Sequence, residues 1–302
     1  MSLEVIYVTR HGFRSNWVVD PTSGEYGSHL RSPTGIAADP ALTAHGVDQA
    51  KELAGHLVRL DPPVERIYSS PYYRCLQTVQ PFVERLEGTK RAVLGETGLS
   101  EWYGSAPFEH PTSAPPTQLK DLFPAYDTSY VPNVVPSRTG ESIAQLHERV
   151  ALTLDAIIRR CDESGVRAVL LCSHAATIIA IGRVLTGCMP EHVETEDFRV
   201  FTCGLSTFRR RKTRSGQDGP SSPAVDTTGS ETTLDWEGGK GVGGGWTCEI
   251  NSDCSFLSGG EERGWRFSGD EAFAGVQQDS SQRDAGVELG VIVEGKRKPP
   301  RL

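Results

Sequence analysis

The sequence predicts an α/β protein, a three-layer sandwich in which a mainly parallel sheet carries helices on both faces. Two observations support this fold class. Strand-like and helix-like patterns alternate along residues 1–208, and the segments 3–9 and 167–174 are nearly continuous runs of apolar residues. Such runs are typical of parallel strands that helices bury on both sides. Strands that alternate with helices in this way usually join one parallel sheet.

The first half of this region predicts two strand–helix units. Segment 3–9 (LEVIYVT) predicts a buried strand, and residues 44–60 carry apolar side chains at helical spacing until Pro62 and Pro63 follow. Segment 66–70 (RIYSS) predicts a short strand. An amphipathic helix then runs from the following proline to about residue 86.

The second half adds two more units around an irregular excursion. Residues 92–104 (AVLGETGLSEWYG) predict a strand that runs into a loop, and the proline-rich stretch 104–140 predicts an ordered but irregular excursion. Residues 141–161 predict a helix, and 167–174 (RAVLLCSH) predict a second buried strand. Residues 175–187 predict an apolar helix that a glycine closes.

Composition changes after residue 208 and divides the chain into four parts. Residues 1–208 form the predicted domain, and 209–245 are polar and rich in Gly, Ser and Thr, which predicts a disordered linker. Residues 246–273 regain aromatic side chains and predict a segment that docks as a hairpin-like appendage. Residues 274–302 predict a disordered tail.

Charge and hydropathy argue against nucleic-acid and membrane binding. The chain has 302 residues and a formal net charge of -8, with a pI near 5.5, so direct nucleic-acid binding is not expected. No apolar run reaches the ~18 residues that a membrane span needs. The first residues lack the basic region of a secretory signal. We therefore expect an intracellular protein, cytoplasmic or nuclear.

Cysteine usage argues against a metal or disulfide framework. The seven cysteines are scattered and contain no C-x-x-C pair. The basic runs 209–214 and 296–301 fit either nuclear-import signals or solvated linker charge, and both interpretations stay open.

Charged side chains and histidines follow four of the predicted strands. The first strand ends in Arg-His-Gly-Phe-Arg, the second in Ser-Ser-Pro-Tyr-Tyr-Arg, the third near Ser-Glu-Trp-Tyr, and the last in Ser-His. The carboxyl ends of parallel strands meet at one edge of the sheet, where ligands bind. The side chains expected there are Arg10, His11, Arg14, Arg74, Glu101 and His174.

This set of residues predicts chemistry on a phosphoryl group. Guanidinium groups bind a phosphate dianion through forked hydrogen bonds and stabilise its charge during transfer. A neutral imidazole can attack phosphorus and form a covalent intermediate. A second imidazole can donate to the phosphate oxygens, and a carboxylate can protonate the leaving oxygen and then activate water. Since the arginines already supply positive charge, no metal or other cofactor is expected.

The motifs TRHG, LTAHGVDQA (42–50), SSPYYRCLQT (69–78), LSEWY (99–103) and CSHAA (172–176) together resemble the histidine phosphatase superfamily (branch 1), with the phosphoglycerate mutase-like fold. The resemblance covers roughly residues 3–208. It implies a phosphatase in which His11 is the phosphohistidine nucleophile and Glu101 the proton donor. It also implies that Arg10, Arg74 and His174 line the phosphate pocket, with His174 assisting catalysis.

Departures from the family patterns refine this expectation. In the acid-phosphatase branch an aspartate follows the second histidine, but here Ala175 follows His174, so the acid function falls to Glu101. Arg14 and Asn16 replace the arrangement of mutases, which favours a hydrolase. Arg14 is expected to contact the phosphate as well. The side chains expected at the rim are Phe13, Asn16, Trp17, Trp102 and Tyr103.

Two subgroups are similar in further detail. S-E-W-Y together with Arg14 resembles the ecdysteroid-phosphate phosphatases and the suppressors of T-cell-receptor signalling. The tail motif INSDCSFLSGGEERGWRF (250–267) resembles the fungal tau subunits of transcription factor IIIC that bear a histidine phosphatase domain, and their free-standing paralogues.

Two classes of function follow from these resemblances. The first is a metal-independent phosphatase that acts on a phosphorylated small molecule or a phosphoprotein. The alternative is a low-activity or non-catalytic scaffold subunit of a transcription factor IIIC-like assembly, which would bind a protein partner through residues 246–267. Glu96 stays open as a competitor of Glu101, and Arg14 could pair with an acid of the 104–140 excursion instead of a substrate.

Overall fold

The computed structural model describes residues 2–20, 23–86, 91–212 and 234–267. Within these ranges the chain forms eight strands and five α-helices. The strands are β1 (Val5–Arg10), β2 (Trp17–Val19), β3 (Tyr26–Ser28), β4 (Arg66–Ser69), β5 (Val93–Gly95), β6 (Ala168–Ser173), β7 (Leu205–Arg210) and β8 (Trp246–Asp253). The helices are α1 (Ala44–Leu57), α2 (Tyr73–Arg85), α3 (Pro116–Leu122), α4 (Ile143–Glu163) and α5 (Ala175–Thr186).

A six-stranded sheet with the order β5-β4-β6-β1-β7-β8 forms the centre of the molecule. β5, β4, β6 and β1 run parallel to one another. β7 pairs antiparallel with β1, and β8 pairs antiparallel with β7 at the edge of the sheet. The predicted fold class, a mainly parallel sheet in the phosphoglycerate mutase-like arrangement, is confirmed. Among the described residues, no helix has the length and apolarity needed to cross a bilayer.

Alternation along β1 assigns its side chains to two cores. Val5 and Tyr7 pack on the face that α1 and α2 cover, and Ile6 and Val8 pack on the face that α4 and α5 cover. Successive side chains of a strand point to opposite faces. Because both faces are covered, every residue of β1 is buried, and this burial explains the unbroken apolar run in the sequence.

Helix boundaries are set by local capping groups. The predicted helix from residue 141 begins at Ile143 instead, because Ser142 and Gln145 form a reciprocal capping box. Glu141 stays outside the helix and its carboxylate accepts from Arg149 at 2.9 Å. α5 ends at Gly187, which adopts φ +75°, a conformation that glycine reaches without strain.

Two features of the fold were missed from sequence. The antiparallel pair β2–β3 and the whole of strand β7 were not predicted. Three-residue strands are too short to show periodicity, and β7 extends into the basic run at residues 209–212. The proline-rich excursion 104–140 contains the short helix α3.

The ends of the predicted linker 209–245 differ from the expectation. Arg209 and Arg210 belong to β7, and residues 234–245 pack on the domain, with Trp236 and Val242 buried. Glycines with positive φ let this run fold back as a compact turn, in which Gly239 N–H donates to the carbonyl of Gly187 at 2.8 Å. Residues 213–233, and the predicted tail 274–302, lie outside the described residues.

The C-terminal segment joins both cores of the domain. β8 pairs with β7, and residues 254–267, which we name the strap, continue from it. Cys254 and Leu257 of the strap pack in the core under α1 and α2, whereas Trp265 and Phe267 pack in the core under α4 and α5. The strap therefore passes from one face of the sheet to the other.

Replacing Trp246 tests whether β8 is part of the domain core. The side chain is 0% exposed and its indole donates to the carbonyl of Val242. We expect Trp246→Ala to lower the free energy of unfolding by about 3–5 kcal/mol, because it leaves a cavity. Ile250→Ala, at a 44% exposed position of the same strand, should change it by less than about 0.5 kcal/mol. Equal effects of both variants in urea unfolding would contradict this assignment.

Candidate active site

The carboxyl ends of four neighbouring strands converge at one edge of the sheet. In the register of the sheet, Arg10 at the end of β1 lies beside Ser173 of β6, and Ser69 at the end of β4 lies beside Cys172. His11 N–H donates to the carbonyl of Ser173 at 3.1 Å, which ties the two central strand ends together. The predicted meeting of strand-end side chains therefore occurs, and α5 begins directly behind it.

His11 is held in one tautomer. Its Nδ1 lies 2.9 Å from the carbonyl oxygen of Gly12. Since a carbonyl only accepts, Nδ1 carries the hydrogen and Nε2 keeps its lone pair. Gly12 N–H in turn donates to Thr78 Oγ1 at 3.0 Å. A Cβ on Gly12 would lie 2.8 Å from the carbonyl oxygen of Gly46, so only glycine allows this close approach to α1.

Burial and neighbouring cations keep His11 neutral. The side chain is 2% exposed. Desolvation lowers the pKa of His11 well below its usual range, and the charges of Arg74, Arg14 and Arg10 lower it further. An imidazole with this environment is neutral at pH 7 and has a free lone pair on Nε2. That is the state a nucleophile needs.

Arg74 lies at the centre of the cluster and is completely buried. Its guanidinium donates to Asp39 Oδ1 at 3.0 Å, to Glu101 Oε2 at 2.9 Å and to the carbonyl of Ala38 at 3.1 Å. The guanidinium carbon of Arg74 also lies 4.7 Å from the centroid of the Tyr72 ring. Two carboxylates thus compensate one buried cation. Such a cluster is stable only while its partners stay in place.

Glu101 is the carboxylate that faces this cluster. Burial by itself raises the pKa of Glu101, but His174 and then Arg74 and Arg14 outweigh burial and hold the pKa well below its usual range. Without a ligand Glu101 is therefore ionised. Its Oε2 lies 3.3 Å from Nδ1 of His174, and Oε1 accepts from the backbone N–H of Trp102 at 3.3 Å.

The competitor Glu96 has a structural place. It is completely buried, caps the following turn through Gly98 N–H at 2.9 Å, and accepts from the hydroxyl of Tyr130 at 2.6 Å and the amide of Asn133 at 2.6 Å. These contacts hold the excursion 104–140 against the domain. Of the two carboxylates, Glu101 is therefore the one within hydrogen-bond distance of the basic cluster.

His174 is completely buried beside His11, with the two ring centroids 5.4 Å apart. Its Nε2 lies 2.8 Å from Ser70 Oγ, and its Nδ1 lies 3.1 Å from Arg74 Nη2. Tyr72 stands edge-on to the same ring at 5.4 Å. The second histidine is therefore held by residues of the loop after β4 and of the first turn of α2.

Arg10 and Arg14 complete the positive surroundings of His11. One amino group of Arg10 donates to the carbonyl of Val200 at 2.8 Å and also to the carbonyl of Arg263. Arg14 is 3% exposed, and burial lowers its pKa to about 9, with the charge of Arg74 adding to this effect. With a pKa of about 9, Arg14 is still cationic at pH 7. We name residues 10–16 the His11 loop.

The predicted rim residues separate into two groups. Phe13 and Asn16 are half-buried, and both contact Arg263 of the strap. Trp17 and Tyr103 are buried together in an aromatic cluster with Tyr72, whose hydroxyl lies 3.3 Å from that of Tyr103. Trp17 and Tyr103 are therefore buried side chains and do not form an exposed rim.

For Trp102 the rim prediction is wrong. The indole N–H donates to the carbonyl of Glu141 at 2.9 Å, and the ring packs edge-on against Phe267 in the core under α4 and α5. Trp102 follows Glu101 directly, and neighbouring side chains of an extended segment point in opposite directions. Glu101 therefore faces the site while Trp102 faces the core.

Several residues of the site were missed from sequence. Asp39 holds Arg74 from a loop that carries no recognisable motif, and Arg263 comes from the distant strap. Ser70 and Tyr72 stand inside the SSPYYR motif, but only their contacts with His174 show their place. Most of these partners are far apart in the sequence, and no spacing rule connects them.

His11, Glu101 and His174 also have the residue types of a metal site. Their ligand atoms lie within 4.8 Å of one another. Arg74 and Arg14, however, place positive charge in direct range of both His11 and Glu101. A cation would be repelled by these charges, whereas an oxyanion would be attracted. The donor set therefore fits an anion better than a metal ion.

Comparison with known proteins shows which family this chain resembles. A family model described as the histidine phosphatase superfamily (branch 1) matches residues 6–216. The chain is 33% identical over 280 residues to the transcription factor tau 55 kDa subunit of Saccharomyces cerevisiae, which corresponds to 88% of this chain and 59% of that protein. It is 30% identical over 237 residues to the ecdysteroid-phosphate phosphatase of Drosophila melanogaster, over 68% of this chain and 30% of that protein.

The chain thus spans less than two thirds of either relative's length. Among solved structures, the ecdysone phosphate phosphatase of Bombix mori in complex with tungstate is similar, with a TM-score of 0.55 and 20% identity over 72% of this chain and 96% of that chain. At this level of identity, the similarity supports the fold.

The titration of His11 provides a direct test of the site's electrostatics. We expect its imidazole NMR signals to remain those of the neutral form well below the pH at which an ordinary histidine is protonated, because desolvation and the arginine charges lower its pKa. In Arg14→Gln the midpoint should rise, since one opposing charge is removed. A midpoint for His11 at the ordinary histidine value of about 6.5, or an unchanged midpoint in Arg14→Gln, would contradict this picture.

Proposed function

The chain belongs to branch 1 of the histidine phosphatase superfamily, and we propose that it is a metal-independent phosphatase that hydrolyses phosphomonoesters through a phosphohistidine on His11. The supporting observation is a buried neutral imidazole with a free Nε2, surrounded by three arginines and one carboxylate. An uncharged nucleophile in a positive pocket favours an anionic phosphoryl group as its electrophile.

Substrate binding uses the cationic groups. The phosphoryl oxygens would accept from Arg10, Arg14, Arg74 and His174, and the charge that these groups provide also stabilises the phosphoryl group during transfer. Arg74 has to share its donors with the substrate, because two carboxylates already accept from it. The positive charge needed for catalysis therefore comes from the side chains of the protein.

In the first chemical step, His11 Nε2 attacks phosphorus. The N–P bond forms while the bond between phosphorus and the leaving oxygen breaks. The carbonyl of Gly12 holds the Nδ1 hydrogen and stabilises the positive charge that develops on the ring. In the second step, water attacks the phosphohistidine, inorganic phosphate leaves, and the neutral imidazole returns.

Glu101 supplies the proton for the leaving oxygen. In the free protein it is ionised, because Arg74 and His174 lower its pKa. A bound phosphate offsets those positive charges, so the pKa of Glu101 rises and the carboxylate can take the proton that a monoanionic substrate brings. After it has protonated the leaving group, the carboxylate accepts a proton from the attacking water.

A second candidate is a scaffold function in a transcription factor IIIC-like assembly. The similarity to the yeast tau 55 kDa subunit extends over 88% of this chain, beyond residue 216, where the family match ends. In this case a protein partner would bind to the segment 246–267, and the chain would function in the nucleus. The complete set of chemical groups around His11 favours the phosphatase.

Hydrolysis of para-nitrophenyl phosphate in the presence of EDTA tests the phosphatase. We expect activity between about pH 4 and pH 8, and a loss of about 10⁴-fold or more in kcat for His11→Ala, because the nucleophile is removed. The control His192→Ala changes an exposed histidine and should leave kcat unchanged. Activity no higher than that of His11→Ala at any pH would favour the scaffold candidate.

The leaving group separates the role of Glu101 from a structural one. We expect Glu101→Gln to lower kcat about 10²–10⁴-fold for an alkyl phosphate. The loss for para-nitrophenyl phosphate should be much smaller, since nitrophenolate leaves without a proton. The control Glu96→Gln also removes a buried carboxylate, but any loss should be equal for both substrates. An equal loss of kcat for both substrates in Glu101→Gln would contradict the role of Glu101 as the acid.

A further inference from the structure

Arg263 of the strap contacts the His11 loop directly. The Arg263 Nη1 donates to the carbonyl of Arg14 at 3.2 Å and to Asn16 Oδ1 at 3.0 Å. Its guanidinium carbon lies 3.9 Å from the centroid of the Phe13 ring, a close cation–π contact. Its own carbonyl accepts from Arg10. One residue of the strap therefore contacts four residues of the loop that carries His11.

We propose that Arg263 is a positioning residue, which holds the His11 loop in the conformation that binds the phosphoryl group, so that the strap is part of the active site. This inference rests on the proposed phosphatase function. It assigns no contact with substrate to Arg263. The residue acts through Arg10, whose guanidinium it orients by its carbonyl, and through Arg14, whose backbone it fixes.

The neighbouring residue Glu262 is connected to the loop through the side chain of Gln49. Its Oε2 accepts from Gln49 Nε2 at 2.8 Å, and Gln49 Oε1 accepts from the backbone N–H of Phe13 at 2.9 Å. Oε2 also lies 2.7 Å from Nε2 of His45 on α1. The carbonyl of Glu262 accepts from Thr202 N–H at 3.1 Å. Two consecutive strap residues thus connect the loop, α1 and the segment before β7.

The backbone of Arg263 supports a role for its side chain. It adopts φ +50°, a left-handed conformation that is strained for a residue with a Cβ and that glycine or asparagine adopts more readily. This conformation turns the guanidinium towards Phe13 and the carbonyl towards Arg10. Residues held in such conformations are found preferentially at functional sites.

The strap lies outside the part of the chain that the family model matches. The family match ends at residue 216, so the generic domain does not include residues 254–267. The strap nevertheless crosses from one core of the domain to the other, with Leu257 and Phe267 buried at its two ends. Between these anchors its path is fixed, and Arg263 lies against the His11 loop as a consequence.

Equilibrium binding of inorganic phosphate to the full chain, measured by calorimetry, tests the proposal without requiring turnover. We expect Arg263→Asn to raise the Kd for phosphate about tenfold, because Arg10 and Arg14 lose their fixed orientation. The KM for para-nitrophenyl phosphate should rise by a similar factor, and kcat should fall less. Asparagine is the replacement of choice since it tolerates the left-handed backbone.

Arg199→Ala is the matched control. Arg199 also joins the strap to the domain, through an ion pair with Glu261, and its side chain is 41% exposed. It does not contact the His11 loop in the described structure, so the Kd for phosphate should stay within about twofold of the wild type. The thermal unfolding midpoints of both variants show whether either change acts through global stability.

Three outcomes would overturn the proposal. The first is a wild type that binds phosphate and an Arg263→Asn variant with the same Kd. This result would leave the proposed phosphatase function unaffected. The second is an equal rise in Kd for Arg199→Ala. The third is a wild-type Kd for phosphate in Arg263→Lys. Lysine keeps the charge but not the planar guanidinium, so charge alone would then explain the effect. A wild type that fails to bind phosphate would instead contradict the proposed function itself.

Discussion

The buried charge of Arg74 is the constraint on which the site depends. A guanidinium at 0% exposure is tolerated only with complete compensation, and here Asp39 and Glu101 provide it. These contacts join three distant parts of the chain: the loop before α1, the first turn of α2 and the segment after β5. The same ion pairs therefore fold the edge of the sheet and place a carboxylate beside His174.

Burial and the positive charges together set the protonation of both groups that the proposed reaction needs. Desolvation keeps His11 neutral and the arginine charges add to this effect, whereas at Glu101 the positive charges outweigh desolvation and keep the carboxylate ionised in the absence of ligand. An anionic substrate offsets part of this positive charge. In the proposed reaction, binding and proton transfer would thereby be coupled, since the pKa of Glu101 would rise enough for it to take a proton only when the phosphoryl group is bound.

Much of this arrangement could be predicted from the sequence, for a topological reason. Apolar runs and helical spacing identified the parallel strands, and parallel strands end at the same edge. The positions of Arg10, His11, Arg74 and His174 near one another follow from that rule. Glu101 could be predicted as a candidate, but its distinction from Glu96 needed the contacts of both carboxylates.

What the sequence determined by itself was the fold class and the chemical identity of the strand ends, because periodicity and motif are local properties of a chain. The tertiary structure decided which partners meet across long separations. It paired Asp39 with Arg74, turned Trp102 into the core, and brought Arg263 of the strap onto the His11 loop. Such contacts depend on how separate elements pack in space, and no local pattern records that packing.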